Sequence, residues 1–263
     1  MTRALHAEWT KLRTVPSTAW LLLATVACTV LLGSAATGSV DTSDCPSPAE
    51  CFEDTVRLSL TGVWLGQVAV VVLAALAMTT EYGTGLIGAT LAAHPCRPRV
   101  LLTKAAVVTA AVSAAGALGV LGSLAVGRFL LPGNGFTVAN GYQPLSLADG
   151  PTLRAAVGTV LYLGLIALLV MGVGTIARDT AAAITTVLTV LYLFPVITEL
   201  VSDERWHDRL EKYAPMKAGL TVQATTGLDR LPIGPWTGLG VLACYAGGAL
   251  LAGAIVFARR DAS

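Results

Sequence analysis

Residues 155–177 read AAVGTVLYLGLIALLVMGVGTIA, and this whole stretch lies between Arg154 and Arg178 without one charged side chain. At about 1.5 Å of rise per residue, a helix of this length crosses the ~30 Å hydrocarbon core of a bilayer. An ionised side chain at mid-bilayer costs several kcal/mol, so long charge-free windows locate spans. Residues 14–40, 58–80, 105–127, 180–198 and 231–258 are five more such windows, each bracketed by charges and free of them inside. All six reach or approach the roughly 20 residues that a span requires. The reading is an all-α membrane protein of six transmembrane helices. Its spans are set at about 17–38, 58–80, 105–127, 155–177, 180–198 and 237–258, in one transmembrane domain covering 1–263.

Composition points the same way. The 263 residues are 54% hydrophobic and 13% charged, with mean hydropathy +0.71. Soluble domains carry about a quarter charged residues. A chain this poor in charge cannot cover a water-facing surface. Aromatics are only 6%, and Ala, Val and Leu dominate, which suits long helices packed through small side chains better than alternating barrel strands. The first window exceeds the 7–15-residue apolar core of a signal peptide and reads as a retained span. No basic run with interleaved aromatics occurs, which speaks against nucleic acid as a partner.

Orientation follows from the basic residues flanking the spans. Six spans put both termini on one side. With that side cytoplasmic, the short inner segments hold Arg3, Lys11, Arg13, Arg97, Arg99, Lys104, Arg178, Arg259 and Arg260, against only Glu8, Glu81, Asp179 and Asp261. The outer segments hold eight bases and twelve acids, five of those bases in one long loop. Both termini are expected inside, in a multi-pass protein of the cell membrane. Cys45 and Cys51 flank Pro46-Ser47-Pro48 in an outer loop, where disulfides persist; they are a bridge or two loop thiols. Cys28 and Cys244 fall within spans as small apolar fillers.

Three segments outside the spans have structure of their own. Leu5, Trp9 and Leu12 fall at i, i+4 and i+7, with Arg3, Glu8, Lys11 and Arg13 expected elsewhere on the wheel. That is an amphipathic helix suited to the inner interface, with a docking role or a purely topological one. The inner connection 81–99 reads EYGTGLIGATLAAHPCRPR and has room for a short helix ended by His94-Pro95, or a plain loop. In the outer loop, Ser202 is placed as cap of a helix with Trp206, Leu210 and Tyr213 on one face, stopped at Ala214-Pro215. The apolar stretch 216–226 is too short to cross and reads as the second member of an interfacial or re-entrant helical pair. Gly62 and Gly66, and Gly119, Ser123 and Gly127, are small-residue stripes that let helices approach closely.

Much chemistry is missing. A P-loop requires Gly-Lys-Ser/Thr, and none of the four lysines follows a glycine. The span cores hold no ionisable residue for ion coupling, and Gln67 reads as interhelical glue. No HExxH or GxSxG occurs. Asp203, Glu204, His207, Asp208 and Glu211 cluster on one predicted helix, as a solvated face or, less simply, a metal site.

Four stretches carry a family resemblance. The opening LHAEWTKLRTVPSTAWLLL (5–23) resembles the start of actinobacterial ABC-2-type transporter permeases. MTTEYGTGLIGATLAAHPCRPRVLLTKA (78–105) resembles their most characteristic segment, and residues 149–169 and 242–262 are similar too. The resemblance implies a permease subunit of an ATP-driven exporter, with two such subunits paired. Each would dock a separate ATPase subunit, which binds the ATP, so that no cofactor sits in this chain. It implies a coupling helix opened by Glu81, Tyr82, Gly83, Thr84 and Gly85, with Leu5, Trp9 and Leu12 lying beside it along the inner leaflet. Gly88 and Cys96 stand where many relatives have basic or hydroxyl side chains. The uncharged spans favour a hydrophobic or amphiphilic cargo. The rivals are an uncoupled channel or secondary carrier, and a membrane enzyme using the acidic cluster around His207.

Overall fold

In a computed structural model of the chain, residues 2–40, 53–83, 97–201 and 203–259 are described. The predicted Cys45–Cys51 pair and Thr84, Gly85 and the rest of the short inner helix lie outside them. The described residues form helices and turns and no strand. The chain runs through α1 (Thr2–Thr14), α2 (Pro16–Ser39), the short α3 (Thr55–Ser59), α4 (Val63–Gly83) and α5 (Arg97–Leu130). It continues through α6 (Gly150–Ala177), α7 (Thr180–Leu188), a π-helical turn (Thr189–Leu193), α8 (Phe194–Leu200), α9 (Glu204–Tyr213), α10 (Pro215–Leu220) and α11 (Pro235–Arg259). Six helices are long and apolar enough to cross a membrane, the fifth made of α7, the π turn and the start of α8. The chain is a multi-pass helical membrane protein.

The bundle is built around α4 and α6, the most enclosed spans, while α2, the α7–α8 rod and α11 face outward over most of their length. α2 shows the inverted pattern that lipid imposes. Its buried side is Thr18, Thr25, Thr29, Gly33 and Thr37, while Trp20, Leu23 and Leu31 project outward. Lipid tails are as apolar as leucine, so nothing drives Leu inward, and small side chains win the interface because they let backbones meet. The hydroxyls of Thr25, Thr29 and Thr37 are satisfied one turn back, as in Thr29 Oγ1 donating to the Thr25 carbonyl at 2.7 Å. The predicted glycine stripes close on this face except at Gly127, which meets Ser59 of α3. A Cβ at Gly62 would collide with the Thr29 carbonyl, Gly66 and Gly119 lie against the Thr29 side chain, and Ser123 Oγ donates to the Thr29 carbonyl at 2.9 Å. The close fit at Gly62 coincides with a turn over residues 60–62, so α4 begins at Val63 and the preceding residues form the separate α3.

Gln67 is the glue the sequence indicated. Fully buried, it accepts from Tyr162 Oη of α6 and donates to Tyr192 Oη at 3.0 Å and to Met216 Sδ of α10 at 3.3 Å. Tyr192 in turn donates to the Trp64 carbonyl. The π turn that presents Tyr192 is followed by Pro195, whose missing N–H cannot continue the ordinary ladder.

At the far end of the bundle from α1, α9 and α10 form the expected pair. The cap of α9 is the Asp203 carboxylate, accepting from the Arg205 and Trp206 amides, one residue later than the Ser202 expected, because that carboxylate reaches two amides at once. α9 ends at Ala214-Pro215 as expected. α10 and the turn after it are buried: Met216, Ala218 and Val222 are fully enclosed by α6 and α11. Asp54, ahead of α3, accepts from the Thr225 amide, from Thr225 Oγ1 at 2.8 Å and from the Thr226 amide at 3.1 Å. Arg154 Nη2 donates to the Ala224 carbonyl at 2.6 Å.

Candidate functional site

The site lies at the α1 end, where α1 meets the last turn of α4 and the first turns of α5. α5 has 34 residues and measures about 51 Å, so it extends well past a bilayer core. α1 packs against this extension and turns into α2 at Val15-Pro16, a proline placed where a helix start tolerates it.

Four ionisable side chains converge there. Lys104 Nζ lies 2.7 Å from Glu81 Oε1 and 3.3 Å from Glu8 Oε2. It also donates to the Ala77 carbonyl at 3.1 Å. Lys11 Nζ lies 2.8 Å from Glu81 Oε1 and 3.0 Å from Glu8 Oε1. Glu8, Glu81 and Lys104 are buried, with Lys104 only 4% exposed, whereas about half of the Lys11 side chain is open. Two carboxylates against two ammonium groups leave no net charge, the condition under which such groups tolerate burial. Burial opposes the charge on Lys11, but the hydrogen bonds and charges of Glu81 and Glu8 outweigh it and hold its pKa above the ordinary 10.5. Glu81 Oε2 is buried and has no donor.

Beneath the cluster lies a cavity of about 440 Å³. Leu12, Leu21, Leu73, Leu76, Val107 and Val108 form most of its wall, and the four charged residues line its head.

The residues singled out in the sequence come together here in part. Glu81 faces α1 and α5. Tyr82 is packed edge-on against Phe257 at 6.5 Å and covered by the Arg178 guanidinium at 5.3 Å. Arg178 itself ends α6 in a left-handed conformation, φ 58°, with its amide donating to the Gly174 carbonyl. Gly83 closes α4 and is exposed. On α1 the expected face is split. Leu12 packs on the core and Leu5 is half-buried, but Trp9 is 50% exposed and Glu8 turns inward instead. The reason is charge pairing: Glu8 finds Lys104 and Lys11, and the bundle-facing stripe becomes Leu5, Glu8 and Leu12, at i, i+3 and i+7. Glu8 and Lys104 entered the sequence reading only as flanking charges. The signal that could have found Lys104 is that it and Glu81 stand at the very borders of two apolar windows, where each needs a partner; Glu8, five residues ahead of Arg13, carries no such signal.

Of the outer acidic cluster, Asp203 is engaged as the α9 cap and Glu211 pairs with Lys217 at 2.8 Å. No group able to hold a metal ion occurs among the described residues. No protein-family model matches the chain, and no curated protein matches it in sequence.

Proposed function

We propose that this chain is the transmembrane permease subunit of an ATP-driven exporter in the cell membrane, with the α1 end cytoplasmic. It would pair with a second permease copy or a homologous half, and a separate ATPase subunit would dock on the segment after Gly83. The observation that carries this reading is the bonding of Glu81 to both Lys11 and Lys104. Glu81 stands just ahead of the segment that resembles the ATPase docking element. A push delivered there reaches α4 directly, and through the ion cluster it reaches α1 and α5. Three helices would therefore move as one body, which is what a stroke needs if it is to rock half a transporter and not merely bend a loop. The network Gln67–Tyr162–Tyr192 ties the same α4 to α6 and the π turn deeper in the bundle. The uncharged spans suit a hydrophobic or amphiphilic cargo.

The test is purification of the tagged protein in mild detergent from its native membrane. A stoichiometric ATPase subunit is expected to come with it and to be lost in Gly85→Trp, with helical content unchanged. Glu81→Arg is a poor choice for this purpose, since it would place a third cation beside Lys11 and Lys104 and unfold the site. If the folded protein carries no ATPase, and vesicles depleted of ATP still transport, the channel or carrier reading replaces this one.

A further inference from the structure

The ion cluster balances its charge but not its hydrogen bonds. Lys104 donates to Glu81 and to the Ala77 carbonyl, and its remaining charge is met by Glu8 Oε2 at 3.3 Å. Lys11 donates to Glu8 and Glu81, and about half of its side chain is open. Glu81 Oε2 is buried without a donor, an arrangement that destabilises the protein unless something answers it. One donor and one acceptor are therefore wanted at the head of the cavity. Apart from Ser17, Thr18 and Thr80 its remaining wall is apolar, and its volume of about 440 Å³ falls within the range of small-ligand sites. Leu73, the deepest α4 residue lining it, is two turns before Glu81, a drop of about 12 Å along the helix. The space thus passes from a polar head to hydrocarbon depth over the distance that separates the two parts of an amphiphile.

We propose that the cavity beneath α1 binds a neutral or zwitterionic amphiphile, with its polar head at Glu8, Lys11, Glu81 and Lys104 and its apolar body between α2, α4 and α5. The head carries both a donor, for Glu81 Oε2, and an acceptor, for the free Lys11 proton; a hydroxyl, an amide or an ammonium–phosphate pair has both. A net anion would add uncompensated charge beside Glu8 and Glu81, and a bare cation would do so beside Lys11 and Lys104. A resident bilayer lipid and a transported amphiphile meet these requirements equally. The site stands on the cluster and cavity alone and holds whether or not an ATPase docks.

The full-length protein is purified in mild detergent, stripped of lipid, and titrated with phosphatidylethanolamine or with phosphatidylglycerol of the same acyl chains, bound lipid being read by native mass spectrometry. The zwitterionic lipid should bind one per chain and about tenfold or more tighter than the anionic one, the worth of one charge-assisted hydrogen bond. Ala77→Phe, which fills the cavity from α4, should lose that binding at unchanged helicity, and Leu76→Trp does the same if Ala77→Phe does not fold. Glu81→Gln leaves the cluster with one excess positive charge and should shift the preference to phosphatidylglycerol. The species that survives purification before stripping separates the two sources: a phospholipid marks a resident lipid, any other amphiphile a cargo. Equal binding of the two lipids by the native protein, or undiminished phosphatidylethanolamine binding by both filled variants, overturns the proposal.

Discussion

Lys104 shows how one side chain ties three helices together. Its ammonium reaches Glu8 of α1, Glu81 of α4 and the Ala77 carbonyl, and it is all but closed to solvent. Lys104→Met removes the cation and leaves two carboxylates facing Lys11 alone. Breaking a buried pair in this way costs about 3–5 kcal/mol. The double variant Lys104→Met/Glu81→Leu removes charge of both signs and should recover more than half of that loss in thermal unfolding; no recovery would show that the pair is not coupled. Lys11 gives the pH dependence. Its pKa is raised in the folded protein, so its contribution is complete below 10.5 and lost as pH climbs through the higher folded value. Protection of the α1 amides, measured against the intrinsic base-catalysed exchange rate, should therefore hold constant from neutrality to 10.5 and fall above it.

At the scale of elements, the packing of α2 on α4 rests on backbone proximity. A side chain at Gly62 meets the Thr29 carbonyl, a backbone atom that cannot rotate away, so Gly62→Val must push the two helices apart. The expected loss is about 3 kcal/mol, read as a lowered melting temperature. Gly240 on α11 is the contrast, with nothing within 4 Å of its added Cβ. Gly240→Ala should be neutral or stabilise by up to about 1 kcal/mol through helix propensity. Equal effects at the two positions would mean that the α2–α4 contact is looser than described. The same contrast explains what the stripes meant: the glycine pattern announced close approach, but which helix would fill it depended on Thr25 and Thr29, which read as ordinary span residues.

Across the whole molecule, the two ends are closed by different chemistry. At the α1 end charged groups bind helices near in space and far in sequence. At the other, Asp54 holds the turn at Thr225 and Thr226, joining residues 171 and 172 apart. Asp54→Ala leaves those two amides and the Thr225 hydroxyl to water, so the segment from α10 to Thr226 should exchange its amides at least tenfold faster, as expected for loss of about 1.5–3 kcal/mol of charge-assisted bonding. Unchanged exchange there would mean that the burial of Met216, Ala218 and Val222 holds the segment unaided.

Sequence alone determined the helical membrane class, the six spans, the paired helices before the last span and Gln67 as an interhelical tie. These follow from local quantities: charge-free length, periodicity, proline stops and the cost of a lone polar group in lipid. Through family resemblance it also set α1 beside the segment that Glu81 opens, and in the structure Glu81 meets Lys11 of α1. Only the tertiary structure decided that Glu8 turns inward, that Lys104 bridges it to Glu81, that threonines and not leucines line the buried face of α2, and that a cavity lies under α1. Each of these depends on which residues from distant windows meet at one depth, and a one-dimensional pattern has no term for that. Charges flanking a span look alike whether they face water or one another; the fold alone supplies the partner that makes burial tolerable.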